Sequence, residues 1–509
     1  VSAAGILFAG GTAEASPEQM DTPQTPSELE EYAAEPLDVE KVPAAGEQQD
    51  EPLTLTADAA VDYAIEHNLE LASSRIDEEI KERQANLAWN RFIPSVQVSG
   101  TMSRANKEST QQGVIPYPPT AGADPVTGYT IYEDVLGFEE TIPRWSVAGN
   151  LEVSLQLNYA MFQAIRGTRI DLRAGRISTR QAEEKLERDV RKSFYNLLLM
   201  RQNMELMRER IDAAERRYEQ ARINYENGLV PELTMLSARV SWENMKPQLQ
   251  EMQLGYEQAL QGFKMNLGLD LQREITLDGS IAAPSIHVDE ERLINEYLTE
   301  RLDIRSLMTT IESLESQLEA TKLRAFTPNI ILGFSMDPAL QGDPWDTNWL
   351  DTGNWSQSRG GLSLTIAMGL DGFLPWSTTQ VGLRELEDNI KKTRIGLLQA
   401  IRGAKMDIRS TVRSLEKARD SIDTLQLNVQ RARRAYEMAE EAYNAGSKEL
   451  LEVQNAEIEL KTAQLEVLKE RYNYIEALLD LEYALGTEIE QLRGDNGNTD
   501  NETKEDDNE

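Results

Sequence analysis

Few side chains in this sequence of 509 residues are placed to do covalent chemistry. There is no cysteine, so neither a thiol nucleophile nor a disulfide framework is available. The two histidines, His67 and His287, stand far apart and outside any metal-ligand spacing. No Gly-rich phosphate loop and no pairing of a nucleophile with histidine is found. The sequence therefore predicts a chain with no cofactor and no catalysis. What it does carry is charge: 87 Asp and Glu against 52 Lys and Arg, a net −35. That balance argues against a nucleic-acid surface, which needs basic stripes. It fits an acidic exterior, an acidic lumen or a salt-adapted organism equally well.

Helices must position these charges. The stretch Tyr443–Ala456, YNAGSKELLEVQNA, has a sister copy 218 residues earlier, YENGLVPELTMLSA, at Tyr225–Ala238. At the same offset Tyr218/Tyr436, Ala221/Ala439, Gly228/Gly446, Leu267/Leu485 and Gly268/Gly486 match without a gap. Self-similarity of this kind marks a duplicated structural unit. Apolar residues enter each turn spaced three and four apart: Leu197, Met200, Met204, Met207, Ile211, Ala214, Tyr218 in one copy, Leu415, Ala418, Ile422, Leu425, Val429, Ala432, Tyr436 in the other. A sustained repeat of that period means helices packed along neighbours as coiled coils. Gly228 and Gly446 supply the left-handed residue that ends a helix, so each copy is a helical hairpin. Pro247 is expected to kink the first return arm.

The period changes to two in four places. Val96, Val98, Gly100 and Met102 alternate with polar neighbours, as do Val147, Gly149, Leu151, Val153, Leu155 and Leu157. Ile330, Leu332, Phe334 and Met336 repeat the pattern, then Leu362, Leu364, Ile366 and Met368. Each is a strand with one apolar and one polar face. The segments between paired strands, from Ser103 to about Ser146 and from Asp337 to about Gly361, are expected to be loops; the second holds Trp345, Trp349 and Trp355. Two-faced strands separated by very long helices fit a membrane barrel with a wet interior. Four strands are too few to close one, so several chains must share it.

The predicted organisation follows. Residues 1–15 end in an Ala-x-Ala pattern and are expected to be the remainder of a signal peptide. Residues 16–52 and 491–509 are expected to be acidic disordered tails. A first repeat occupies 53–283, with a single amphipathic helix from Thr56 to about Phe92, strands at 95–102 and 147–157 and a hairpin at 165–268. A second occupies 284–490, with a helix from about Asp289 to Phe326, strands at 329–336 and 362–368 and a hairpin at 376–486. No run of about 18 or more apolar residues offers a membrane helix.

This order, with the Phe-x-Pro switches from helix to strand at Phe92–Pro94 and Phe326–Pro328, the segment Ser193–Leu198 and the Tyr-x-x-Gly turns, resembles the TolC-like outer-membrane efflux family over about residues 53–490. The resemblance implies a mainly α protein with membrane β: a homotrimer whose twelve-stranded barrel, four strands per chain, continues as a long α-helical tunnel. It implies a place in the outer membrane, in contact with its lipid, with a long periplasmic extension. It implies a passive exit duct for small molecules or proteins, closed at its periplasmic tip at rest. Its partners would be a periplasmic adaptor and an inner-membrane efflux pump or type I secretion transporter. Carried over residue by residue, the family's gate falls on Tyr443, Lys448 and Glu452, with two acidic positions occupied here by Asn455 and Thr234. The usual Arg–Asp latch is thus absent as such, and one acidic ring of Glu452 remains. Adaptor contacts fall on Gly228, Leu229 and Val230 and on Gly446, Ser447 and Lys448. Asn150 and Glu152, on a polar strand face, are expected in the barrel lumen. The alternative is a coiled-coil scaffold or adaptor of the cell envelope that forms no channel.

Overall fold

The computed structural model describes residues 53–107, 109–116, 135–282, 286, 288–342, 347–348, 351–356 and 359–487. The expected signal remnant at 1–15, the two acidic tails, His287, Trp345 and Trp349 lie outside the described residues. Most of the described chain forms one unit, residues 54–271 with 275–487. A second unit is represented by Leu53 and residues 272–274, where the Leu53 amide donates to the Glu274 carbonyl at 3.2 Å.

Strand β1 (Leu53–Leu55) pairs with β6 (Ile275–Leu277). Between them run α1 (Ala57–His67), α2 (Leu69–Asn86), strands β2 (Ser95–Arg104), β3 (Ser109–Pro116), β4 (Val135–Ile142) and β5 (Trp145–Leu157), then the long α3 (Ala160–Glu226) and its return helix α4 (Glu232–Leu267). After β6 come α5 (Glu290–Tyr297), α6 (Leu302–Phe326), β7 (Asn329–Met336), β8 (Ala339–Gln341), β9 (Gly360–Ala367), the long α7 (Thr378–Asn444) and α8 (Leu450–Leu485). Helices α3 and α7 each have 67 residues, about 100 Å of rise, and α4 and α8 each have 36. All four boundaries recur at the sequence offset: 160 against 378, 226 against 444, 232 against 450 and 267 against 485.

The single amphipathic helix expected from Thr56 to Phe92 is two helices and a short 3₁₀ turn. Asn68 makes the break. Its Oδ1 accepts from the Leu71 amide at 2.9 Å, capping α2, and its Nδ2 donates to the Asn266 carbonyl at 2.8 Å. The helix expected from Asp289 to Phe326 likewise divides into α5 and α6. Helix α4 continues through Pro247. Helices α1 and α2 lie along α3, α5 and α6 along α7, and α6 also touches α3. Phe194, Leu197 and Leu198 of α3 and Ile408 of α7 are almost fully buried.

The strands form one antiparallel sheet in the order β2-β5-β7-β9. Strand β8 continues the line of β7 along β5, with Leu340 opposite Val147. The expected loop from Ser103 to Ser146 is in large part a second hairpin, β3 with β4, Ser109 opposite Ile142 and Pro116 opposite Val135. The turn-forming Pro and Gly residues cluster in its middle, whereas the flanks STQQGVIP and VLGFEETI hold β-branched and aromatic residues that suit strands.

Candidate functional site

Both hairpin tips use the same turn. Gly228 has φ +73° and Gly446 φ +74°, the left-handed conformation that a side chain resists. The Leu229 amide reaches back to the Asn224 carbonyl at 2.8 Å, and the Ser447 amide to the Ala442 carbonyl at 2.9 Å. The Gly228 and Gly446 amides close the inner bonds to Tyr225 and Tyr443, each at 2.8 Å. These are Schellman caps, which satisfy the last carbonyls of α3 and α7. Beyond the caps the tips differ. The first leads through Pro231 (φ −63°, ψ 151°) into α4; the second carries Ser447, Lys448 and Glu449 into α8.

The predicted tip residues divide into three groups. Tyr443 is half-buried and packs, with Tyr218, against a small core of Ala221, Ala238 and Leu450. It therefore joins the second hairpin to the first. Lys448, in the turn just before α8, pairs with Glu452 in the first turn of that helix, both about half exposed. The carboxylate expected to line a ring thus has a cation beside it in its own chain. Gly228, Leu229, Gly446, Ser447 and Asn455 are exposed, Leu229 at 72%, while Val230 and Thr234 are half-buried. Asn455 and Thr234 make no hydrogen bond with each other.

A nearly buried ion pair near the tips falls on residues that the sequence reading did not single out. Arg217 of α3 donates to Glu457 of α8, and their side chains are only 12% and 6% exposed. Beside it, the Tyr218 and Trp242 rings stack at 5.5 Å, and the Lys246 ammonium sits 3.6 Å from the Trp242 centroid. Farther along the same seam Lys461 meets Glu209 at 2.7 Å and Lys192 meets Asp480 at 2.7 Å. Burial, helped by Glu476 and Asp480, pushes the Tyr472 phenol up to about 12, so it stays neutral next to these acids. A signal for the buried pair existed. Leu450, Val453, Glu457, Leu460 and Val467 form the buried stripe of α8, so Glu457 occupies a core position and needs a cation.

The four-stranded sheet has two unlike faces. Val98 is 76% exposed and Leu362 75%, and Val96, Leu364 and Ile366 are similarly bare, all on one face. On the other face Gln97, Glu152 and Ser335 stand in register across β2, β5 and β7. Asn150 donates to Asp337 at 2.5 Å on that polar face. Among the described residues, the edge strands β2 and β9 each have one partner in the sheet.

A sequence model of one family, described as outer membrane efflux protein, matches residues 60–269 and 293–487. The chain belongs to the outer membrane efflux protein family. Strands β2 and β5 and the first hairpin lie in the first matched segment of the efflux-protein model, and β7, β9 and the second hairpin in the second. The fold agrees with solved outer membrane channel structures. The CmeC outer membrane channel of Campylobacter jejuni superposes with a TM-score of 0.67 at 18% identity, over 84% of this chain and 85% of that one. The MtrE outer membrane channel of Neisseria gonorrhoeae, in an open state, gives 0.61 at 16% identity over 85% and 89%. In sequence the chain is 26% identical over 221 residues to toxin and drug export protein A of Aggregatibacter actinomycetemcomitans. That stretch is 43% of this chain and spans less than half, 45%, of the relative's length.

Proposed function

We propose that this efflux-family chain is one subunit of a passive homotrimeric exit duct in the outer membrane. Each chain gives four strands to a shared twelve-stranded barrel, and its hairpins extend as a periplasmic tunnel, closed at the tips at rest. A periplasmic adaptor docks on Gly228, Leu229 and Val230 and on Gly446, Ser447 and Lys448, and links the duct to an inner-membrane pump or secretion transporter. Small molecules or proteins leave through it. The carrying observation is the sheet: four strands with two open edges and one bare apolar face. Open edges left in water template aggregation, and a bare apolar face of this kind is stable against lipid. Closing three such sheets edge to edge satisfies both faces and turns Asn150 and Glu152 to the lumen.

At the tip, three copies of Glu452 would converge, each with its own Lys448 one turn away. The lysine offsets the carboxylate, so ion preference depends on both. Single-channel recording in a planar bilayer under a salt gradient tests the reading. Small, cation-preferring steps are expected; Glu452→Ala lowers that preference and Lys448→Ala raises it. A folded, detergent-extracted oligomer that gives no steps, even with its tips removed, is no duct. Unchanged preference in both variants excludes the Glu452 ring.

A further inference from the structure

The apolar face of the four-stranded sheet carries one charged side chain, Arg104. It is the last residue of β2, farthest from the helices, and pairs in register with Trp145. Its guanidinium carbon lies 5.5 Å from the centre of the Trp145 ring, so the two side chains share that face. Nine steps of about 3.4 Å, tilted by about 40°, raise Arg104 roughly 23 Å above the start of β2. An outward apolar band of a membrane barrel is about 25 Å tall and is flanked by aromatic girdles.

Both ends of this face fit that geometry. Where the strands meet the helices, Trp89, Tyr159, Phe162 and Trp376 are 57%, 63%, 60% and 78% exposed. At the other end stands Trp145 with Arg104. The ladder also breaks just beyond this level: from Arg104 to Ser109 the chain advances five residues while its partner goes back three, from Trp145 to Ile142. The regular sheet therefore ends where the apolar band ends.

We propose that Arg104, over the Trp145 ring, binds the phosphate of lipid headgroups in the leaflet farther from the helices. This rests on the barrel reading above. A cation at the band's mid-depth would be strongly unfavourable, whereas at its edge the cost is small. Among the described residues, none on the apolar face supplies a carboxylate to neutralise Arg104, and the exposed Lys107 lies three residues on. A guanidinium placed over an indole face can still offer two parallel bonds to phosphate oxygens.

The test uses the full chain in nanodiscs of phosphatidylcholine doped with bisphosphorylated lipid A or with its dephosphorylated form. Lipid retained around the protein is then counted by native mass spectrometry. The wild type is expected to enrich the phosphorylated form about fivefold, the weight of one basic side chain at an anionic surface. Arg104→Gln removes that enrichment, and Arg104→Lys retains most of it. Enrichment by Arg104→Gln equal to wild type overturns the headgroup site and leaves the barrel standing. Failure of all three proteins to enter any nanodisc overturns the barrel as well.

Discussion

Breaking the Arg217–Glu457 pair should loosen the seam between the two hairpins. Both side chains are nearly buried, and each comes from a different hairpin. Removing one partner strands the other as an unpaired charge in a low-dielectric seam, at a cost of about 3–5 kcal/mol. Since about 1.4 kcal/mol is a factor of ten, local opening should rise between about a hundredfold and a few thousandfold. Native-state hydrogen exchange reads this directly on the α8 amides from Val453 to Leu460. Those amides should speed up in Arg217→Ala and in Glu457→Ala, while amides near the well-packed Leu478 and Leu481 stay unchanged. Replacing both by apolar residues, Arg217→Met with Glu457→Leu, should restore slow exchange, because no charge remains to be solvated. Two outcomes refute the reasoning: single variants that exchange like wild type, or a double variant as loose as either single one.

Other consequences follow from the turns and the sheet. Gly228→Ala and Gly268→Ala both force a side chain into left-handed backbone, at about 1 kcal/mol. A Cβ at Gly228 meets nothing within 4 Å, whereas at Gly268 it would lie 2.2 Å from the His67 carbonyl oxygen. Denaturant melts of the detergent-extracted protein should therefore show a small loss for Gly228→Ala and a much larger one for Gly268→Ala. On β9, Leu364→Lys places a charge on the apolar face and should cost about 2–4 kcal/mol in bilayer-reconstituted unfolding; Ser363→Lys, on the polar face, should cost little and instead change conductance. Equal effects of the two lysines would remove the two-faced reading of the sheet.

Much of the fold was legible because it is periodic. The three-four spacing from Leu197 to Tyr225 and from Leu415 to Tyr443 required long packed helices, and Gly228 and Gly446 stand where they end. The strand at 329–336 falls at the expected bounds, and the others lie within two residues of theirs. Two features were misread for local reasons. Proline and glycine at the centre of the first strand connection concealed the β-prone flanks that form β3 and β4. Asn68 reads as an ordinary helical residue until its contact with the Asn266 carbonyl shows why the helix breaks there.

The site divides along the same line. The sequence by itself determined which residues sit at the turns and which strand face is apolar, since both depend on neighbours a few positions apart. The Lys448–Glu452 pair is also of this kind, four residues apart across the start of α8. Tertiary structure alone decided that Arg217 meets Glu457, 240 residues away, and that Tyr443 packs on Ala221 and Ala238 of the other hairpin. Periodicity says that a helix has a buried face but not which helix covers it. That choice is made by how whole faces pack together, a property of the assembled chain and not of any short stretch of it.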